Sequence, residues 1–171
     1  VCFNSKEGIG NNFVIPSGPL REKLSEIQNY DLIIISVENK NLDLQNILYL
    51  HKKKSNFFLT KYKPTNLKKF NLDREYLMFS GIGNPHEFQQ TLEKYRFKIR
   101  KKIFFPDHYK FNNKEIYDLK EIAKKEKLEI ITTEKDFNRL ENNQRKNIKF
   151  LKIKLKIENE NKLKNMLLKK L

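Results

Sequence analysis

Short apolar runs alternate along the chain with segments whose apolar residues recur every three or four positions. Val1–Phe3 reads as a strand. Leu20, Leu24 and Ile27 are at helical spacing, which predicts an amphipathic helix over Pro19–Gln28, with Pro19 at the first helical position where its missing N–H costs nothing. Asp31–Ser36 predicts a buried strand. Residues 38–55 are ambiguous; Leu42, Leu44, Ile47, Leu48 and Tyr49 fit a weak helix. Asn56–Lys63 predicts a strand that Pro64 ends, and Tyr76–Phe79 a further one. Pro85–Lys94 carries Phe88 and Leu92 on one helical face, and Phe97–Phe105 is a strand. Asn112 or Asn113 caps a helix to about Glu126 with Ile116, Leu119 and Ile122 inside. Glu129–Ile131 is a strand, and Thr133 caps a short helix after it. Phe150–Ile157 alternates apolar residues with lysine, a half-exposed strand, and Asn159–Leu171 is a basic helix.

Strand, loop and helix thus repeat at short spacing, which argues an α/β fold with a mostly parallel sheet. In such sheets ligands bind beyond the carboxyl ends of the strands. Four segments lie there: the loop after Val1–Phe3, SGIGNP after Tyr76–Phe79, PDHY after Phe97–Phe105, and TTEKD after Glu129–Ile131. Loops that share one sheet edge can converge on one site.

Composition sharpens the choice of segments. All five glycines fall in residues 8–22 and 79–88, in a chain otherwise rich in Lys, Asn, Ile, Leu and Glu. Glycine in such a chain marks a positive φ or a close approach of the backbone. The net charge of +15 fits an anionic lipid or nucleic-acid partner, but the lysines are dispersed among glutamates, as a general compositional bias would leave them. Interleaved aromatic and basic platforms are missing, which argues against nucleic acid. The single cysteine, Cys2, excludes a disulfide framework and a multi-cysteine metal site. The longest apolar run, Leu32–Val37, has strand length, not the ~20 residues of a membrane span. Val1 opens inside what reads as a strand, so a fragment lacking its front half is expected.

Each segment has a chemical and a purely structural reading. Ser17 and Gly18 precede the expected helix start, where free N–H groups favour an anion, and Arg21 adds a fork suited to phosphate; alternatively, the helix is merely capped and Arg21 and Glu22 are solvated. Gly81 and Gly83 could present N–H groups to a ligand or simply turn the chain. His108 is the best titratable candidate because its ordinary pKa near ~6.5 allows proton exchange at neutral pH, although a lone histidine is often structural. His51 and His86 have weaker context. Lys135 could meet a phosphate or be solvated. The sequence has no G-x-x-x-x-G-K-[ST] phosphate loop, no G-x-S-x-G elbow and no Cys/His cluster at metal spacing.

Taken in order, IGNN-x-x-IPSGPLRE, FSGIGNP-x-x-F-x-x-TL, FFPDHY and TTEKD resemble the second half of the tetraacyldisaccharide 4′-kinase (lipid A 4′-kinase) family, from Val1 to about Ile153. The resemblance implies a P-loop-kinase-like fold of two α/β domains joined by a two-stranded linker. Residues 1–55 would be the remainder of the N-terminal domain, 56–75 the linker strand region, and 76–171 a smaller C-terminal α/β domain. It implies transfer of the ATP γ-phosphate, with Mg²⁺, to the 4′-hydroxyl of a tetraacyldisaccharide 1-phosphate in lipid A biosynthesis. The setting would be peripheral, on the anionic cytoplasmic face of the inner membrane of Gram-negative bacteria, with the lipid A disaccharide precursor as partner and no nucleic acid. The family's phosphate loop and catalytic aspartate would lie upstream, so the fragment alone is expected to be inactive.

By the same resemblance, His108 and Arg21 are the catalytic candidates. Glu22 is a substrate or phosphate candidate by that resemblance, with Arg21 and Glu22 lining the cleft, and Ser17, Gly18, Gly81, Gly83 and Lys135 are such candidates from their own placement in the segments above. Asn4 stands where family members commonly have a metal-associated aspartate, so it is a weakened metal position. The family's GNG is here Gly10-Asn11-Asn12. Two competing readings remain open: a non-enzymatic basic module for anionic lipid or nucleic acid, motivated by the charge, and an inactive kinase fragment, motivated by Asn4.

Overall fold

The structure is a computed structural model that describes residues 1–37, 44 and 56–169. The weak helix expected over 38–55 lies outside these residues, apart from Leu44. The chain divides into two compact units, Val1–Lys63 with Lys154–Leu171, and Pro64–Ile153. The tail therefore belongs with the first unit, not with the expected 76–171 domain. The expectation of α/β architecture with mostly parallel sheets is met, with the strands among the described residues in two sheets of four.

In the first unit, β1 (Cys2–Asn4), β2 (Leu32–Ser36) and β3 (Asn56–Pro64) run parallel, and β8 (Ile153–Ile157) lies beside β3. The β-branched run of β2 suits a central strand. Ile33 and Ile35 are fully buried and pack with Leu24, Ile27, Val37 and Leu44. α4 (Glu160–Leu168) follows β8.

The helix expected over Pro19–Gln28 does not form there. Leu20 donates to the Phe13 carbonyl at 3.2 Å and its own carbonyl accepts from Ile15 at 2.8 Å. With its backbone engaged in that turn, Leu20 cannot start a helix, and helical structure is confined to a 3-10 turn at Leu24–Asn29. The apolar spacing was genuine, since Leu20, Leu24 and Ile27 share the core.

In the second unit the sheet order is β5 (Lys98–Phe104), β4 (Glu75–Ser80), β6 (Glu129–Thr133), β7 (Ile148–Leu151), all parallel. β4 is buried on both faces, which explains its unbroken apolar run. Tyr76 and Met78 face α1 (Pro85–Lys94) through Phe88 and Leu92, whereas Leu77 and Phe79 face α2 (Asn113–Lys125) through Ile116, Leu119 and Ala123. Asn84 caps α1 ahead of Pro85, and Asn112 with Glu115 forms a reciprocal capping box on α2. A third helix, α3 (Glu134–Arg139), starts directly from β6 with Thr133 as its cap.

The strand expected over Phe150–Ile157 is broken at Lys152. Its N–H goes to Asn66 Oδ1 and its carbonyl accepts from Thr65, so β7 ends in one sheet and β8 begins in the other. Among the described residues no helix is long and apolar enough to cross a membrane.

Candidate functional site

Three of the four candidate loops meet at the carboxyl edge of the second sheet. β4 delivers Ser80, Gly81 and Gly83, β5 delivers Asp107 and His108, and β6 with α3 delivers Thr133, Lys135, Asp136 and Arg139. The glycine loop after β1 belongs to the first sheet instead.

Asp136 organises this edge. It is wholly buried, and its Oδ2 accepts from the Gly81 N–H at 3.0 Å, the Ser80 hydroxyl at 3.2 Å and the Thr133 hydroxyl at 2.8 Å. Its Oδ1 accepts from Arg139 Nη1 at 3.1 Å. The same Nη1 donates to the Gly81 carbonyl at 2.8 Å. The other arm of the guanidinium, Nη2, meets His108 Nδ1 at 3.2 Å. A buried charge needs this degree of pairing to be tolerable.

His108 is exposed, with φ of +58°. Its amide donates to Asp107 Oδ1 at 2.9 Å, which steadies that left-handed turn. Asp107 Oδ2 lies 3.8 Å from His108 Nε2, and Lys135 Nζ lies 4.0 Å from Asp107 Oδ1. Lys135 and His108 thus share a carboxylate. A Cβ on Gly81 would stand 3.2 Å from Tyr109 Cβ and 3.3 Å from the Pro106 carbonyl, and one on Gly83 would stand 3.2 Å from Asp107 Oδ2. These two glycines let the PDHY loop pack against the end of β4. The Gly81 N–H is already given to Asp136, so it is not a free donor for a ligand. His86 stacks edge-on to Phe104 at 5.1 Å instead of entering this group.

The first unit holds a separate cavity of about 350 Å³, lined by Asn4, Gly8, Arg21, Glu22, Glu26 and Tyr30 among others. Tyr30 donates to Glu22 at 2.6 Å, and that bond to a carboxylate raises the Tyr30 hydroxyl above its ordinary pKa. Ser17 and Gly18 stand outside this lining. Both their N–H groups go to the Val14 carbonyl, at 3.0 and 3.3 Å, and no helix starts behind them. The expected anion cradle at Ser17 and Gly18 is therefore not built. A Cβ on Gly18 would overlap Asn11 Oδ1 and the Phe13 carbonyl, so this glycine serves the turn. Asn4 Oδ1 accepts from the Lys6 N–H at 3.0 Å. Among the described residues no three His, Cys, Asp or Glu could hold a metal ion together.

Two site residues were not singled out in the sequence, Asp136 as a buried anchor and Arg139. The signal was present as TTEKDFNR, in which Asp and Arg stand at i and i+3 on one helical face.

The tetraacyldisaccharide-1-P 4′-kinase family model matches residues 1–171. The chain is 37% identical over 170 residues to the tetraacyldisaccharide 4′-kinase of Pelagibacter ubique (strain HTCC1062), covering 99% of this chain and 54% of that protein. It is 36% identical over 177 residues to the enzyme of that name from Rickettsia akari (strain Hartford), covering 99% and 51%. The fold matches a crystal structure of LpxK from Aquifex aeolicus in complex with ATP, with a TM-score of 0.68 at 23% identity over 98% of this chain and 50% of that one. The chain spans about half the length of the curated relatives it matches. This chain belongs to the tetraacyldisaccharide-1-P 4′-kinase family.

Proposed function

We propose that this chain forms part of an ATP-dependent kinase that phosphorylates the 4′-hydroxyl of a tetraacyldisaccharide 1-phosphate in lipid A biosynthesis. The observation that carries the reading is the convergence of three strand-end loops on an exposed, oriented imidazole at His108, in a chain matched throughout by this kinase family. Phosphoryl transfer needs positioning and charge stabilisation more than covalent chemistry from the protein. In this reading His108 donates from its ring N–H to a carboxylate from the other half of the full-length protein, and so orients and tunes the group that takes the proton lost by the sugar hydroxyl. Lys135 supplies positive charge beside it. Arg21, in the lining of the first unit's cavity, supplies a fork for a phosphate oxygen.

The described residues do not fit a Mg²⁺ site. Asn4 offers one amide oxygen, already engaged by Lys6, and Mg²⁺ favours carboxylates and phosphate oxygens. ATP and Mg²⁺ are assigned to the full-length enzyme, and the 171-residue chain alone is proposed to be inactive.

We further propose a peripheral location at the anionic inner leaflet. Support comes from the +15 charge and from Lys98, Arg100 and Lys102, exposed at alternate positions along the edge strand β5.

The test is ATP-dependent phosphate transfer to tetraacyldisaccharide 1-phosphate by the full-length protein carrying these residues. Transfer is expected, and His108→Ala should lower kcat by roughly a hundredfold or more with the melting temperature unchanged. Absence of transfer overturns the kinase reading, and an unchanged kcat in the variant removes His108 from the mechanism.

A further inference from the structure

The contact between Arg139 and His108 constrains chemistry as well as packing. A guanidinium has only donors, so the nitrogen it faces must accept. The Nη2–Nδ1 separation is 3.2 Å, and a proton on Nδ1 would set two donors against each other. In neutral His108 the proton therefore belongs on Nε2. The guanidinium cannot drift from this arrangement, because its other arm is held by the Asp136 carboxylate at 3.1 Å and the Gly81 carbonyl at 2.8 Å. Asp136 is in turn fixed by Ser80, Gly81 and Thr133. The restraint runs from a wholly buried carboxylate, through a side chain 20% exposed, to a ring 73% exposed. The backbone of His108 is restrained independently by the hydrogen bond its N–H donates to Asp107 Oδ1.

We propose that Arg139 is a positioning residue for His108. Anchored on Asp136 and the Gly81 carbonyl, it accepts no proton and carries no substrate. It holds Nδ1 as an acceptor, fixes the tautomer and leaves Nε2–H, which lies 3.8 Å from Asp107 Oδ2, beyond hydrogen-bond distance, to face an acceptor brought to the site, such as a carboxylate. A role limited to tying α3 to β4 would use only Nη1; the contact from Nη2 to the imidazole adds nothing to that tie. The consequence for turnover rests on the kinase reading above, whereas the tautomer does not.

The first measurement is the long-range ¹H–¹⁵N spectrum of the imidazoles in the 171-residue chain, whose three histidines are assigned by single His→Gln variants. At a pH where His108 is neutral, Nδ1 should be the unprotonated nitrogen and Nε2 the protonated one. Protonated Nδ1 in the unaltered chain overturns the proposal without any variant being needed. Arg139→Lys keeps a charge for Asp136 but lacks the second arm. It should melt near the parent temperature while the His108 tautomers become mixed; a folded variant with the tautomer unchanged also overturns the proposal.

The second measurement is kinetic, in the full-length protein. Arg139→Lys should lower kcat at least about tenfold with KM for ATP unchanged, because a tautomer-fixing partner acts on the proton-transfer step. In the His108→Ala background the same change should cost nothing further. An equal loss in both backgrounds means that Arg139 does not act through His108, and the proposal falls. A full-length protein with no kinase activity would sink the kinase reading and leave the tautomer result standing.

Discussion

Asp136 shows how a single residue can hold three loops. One of its oxygens takes three donors and the other takes Arg139, so a carboxylate fits and little else does. Asn is nearly the same size, but its amide nitrogen would have to face either the Gly81 and Thr133 donors or the guanidinium. Each orientation leaves buried donors opposed and Arg139 without its counter-charge. Asp136→Asn is therefore expected to destabilise the second unit by about 3 kcal/mol, at the lower edge of what breaking a buried pair costs. Urea unfolding followed in that unit checks it, and a loss below about 1 kcal/mol would show that the network tolerates a neutral centre. Sequence could reveal that Asp136 sits near a helix start, where a negative charge is favourable. It could not reveal that the same carboxylate reaches β4, because a contact between residues 56 positions apart depends on strand order.

Elements fared differently according to what specified them. β4, α1 and α2 were legible because pattern, cap and punctuation agree: a continuous apolar run, Asn84-Pro85 and Asn112-x-x-Glu115. The segment around Pro19 departs from its helical spacing because Leu20 satisfies its backbone within the preceding loop, a choice that apolar spacing does not encode. The break at Lys152 was hidden for a similar reason, since the alternation of FLKIKLKI continues across a change of sheet. The capping box on α2 gives an element-scale prediction. Asn112 Oδ1 accepts from the Glu115 N–H at 2.8 Å, and Glu115 Oε2 accepts from the Asn112 N–H at 2.9 Å. Asn112→Ala should cost about 1 kcal/mol. Because Glu115 also accepts from the Tyr109 hydroxyl at 2.5 Å, its carboxylate stays in place, and the His108 resonances should hold their shifts while the melting temperature falls. A shift at His108 as large as that at Asn113 would mean that α2 steers the site as well as supporting it.

At the scale of the whole molecule the chain leaves its first unit along β3 and returns to it in β8, so that unit is assembled from the two ends of the sequence and the second is inserted between them. The expectation that residues 76–171 form one domain followed the order of the sequence, whereas the contacts follow the sheets. The Glu158 N–H donates to the Leu59 carbonyl at 2.8 Å and its carboxylate pairs with Lys61 at 3.0 Å. Leu163 is buried, and Lys162 lies over the Phe58 ring at 5.9 Å. The second unit, in contrast, has both faces of β4 covered by residues drawn from 64–153. Ending the chain after Ile153 should therefore damage the unit that is distant in sequence and spare the one adjacent to the cut. Removing a paired strand exposes the edge of β3 and uncovers apolar surface around Phe58. Amide hydrogen exchange reads the two units separately. In the truncated chain, protection at Ile33 and Ile35 should fall at least tenfold, with protection at Leu77 and Phe79 kept within about threefold of the full chain. Equal loss in both units would mean that they unfold as one cooperative body, and loss confined to 64–153 would restore the linear division of the sequence.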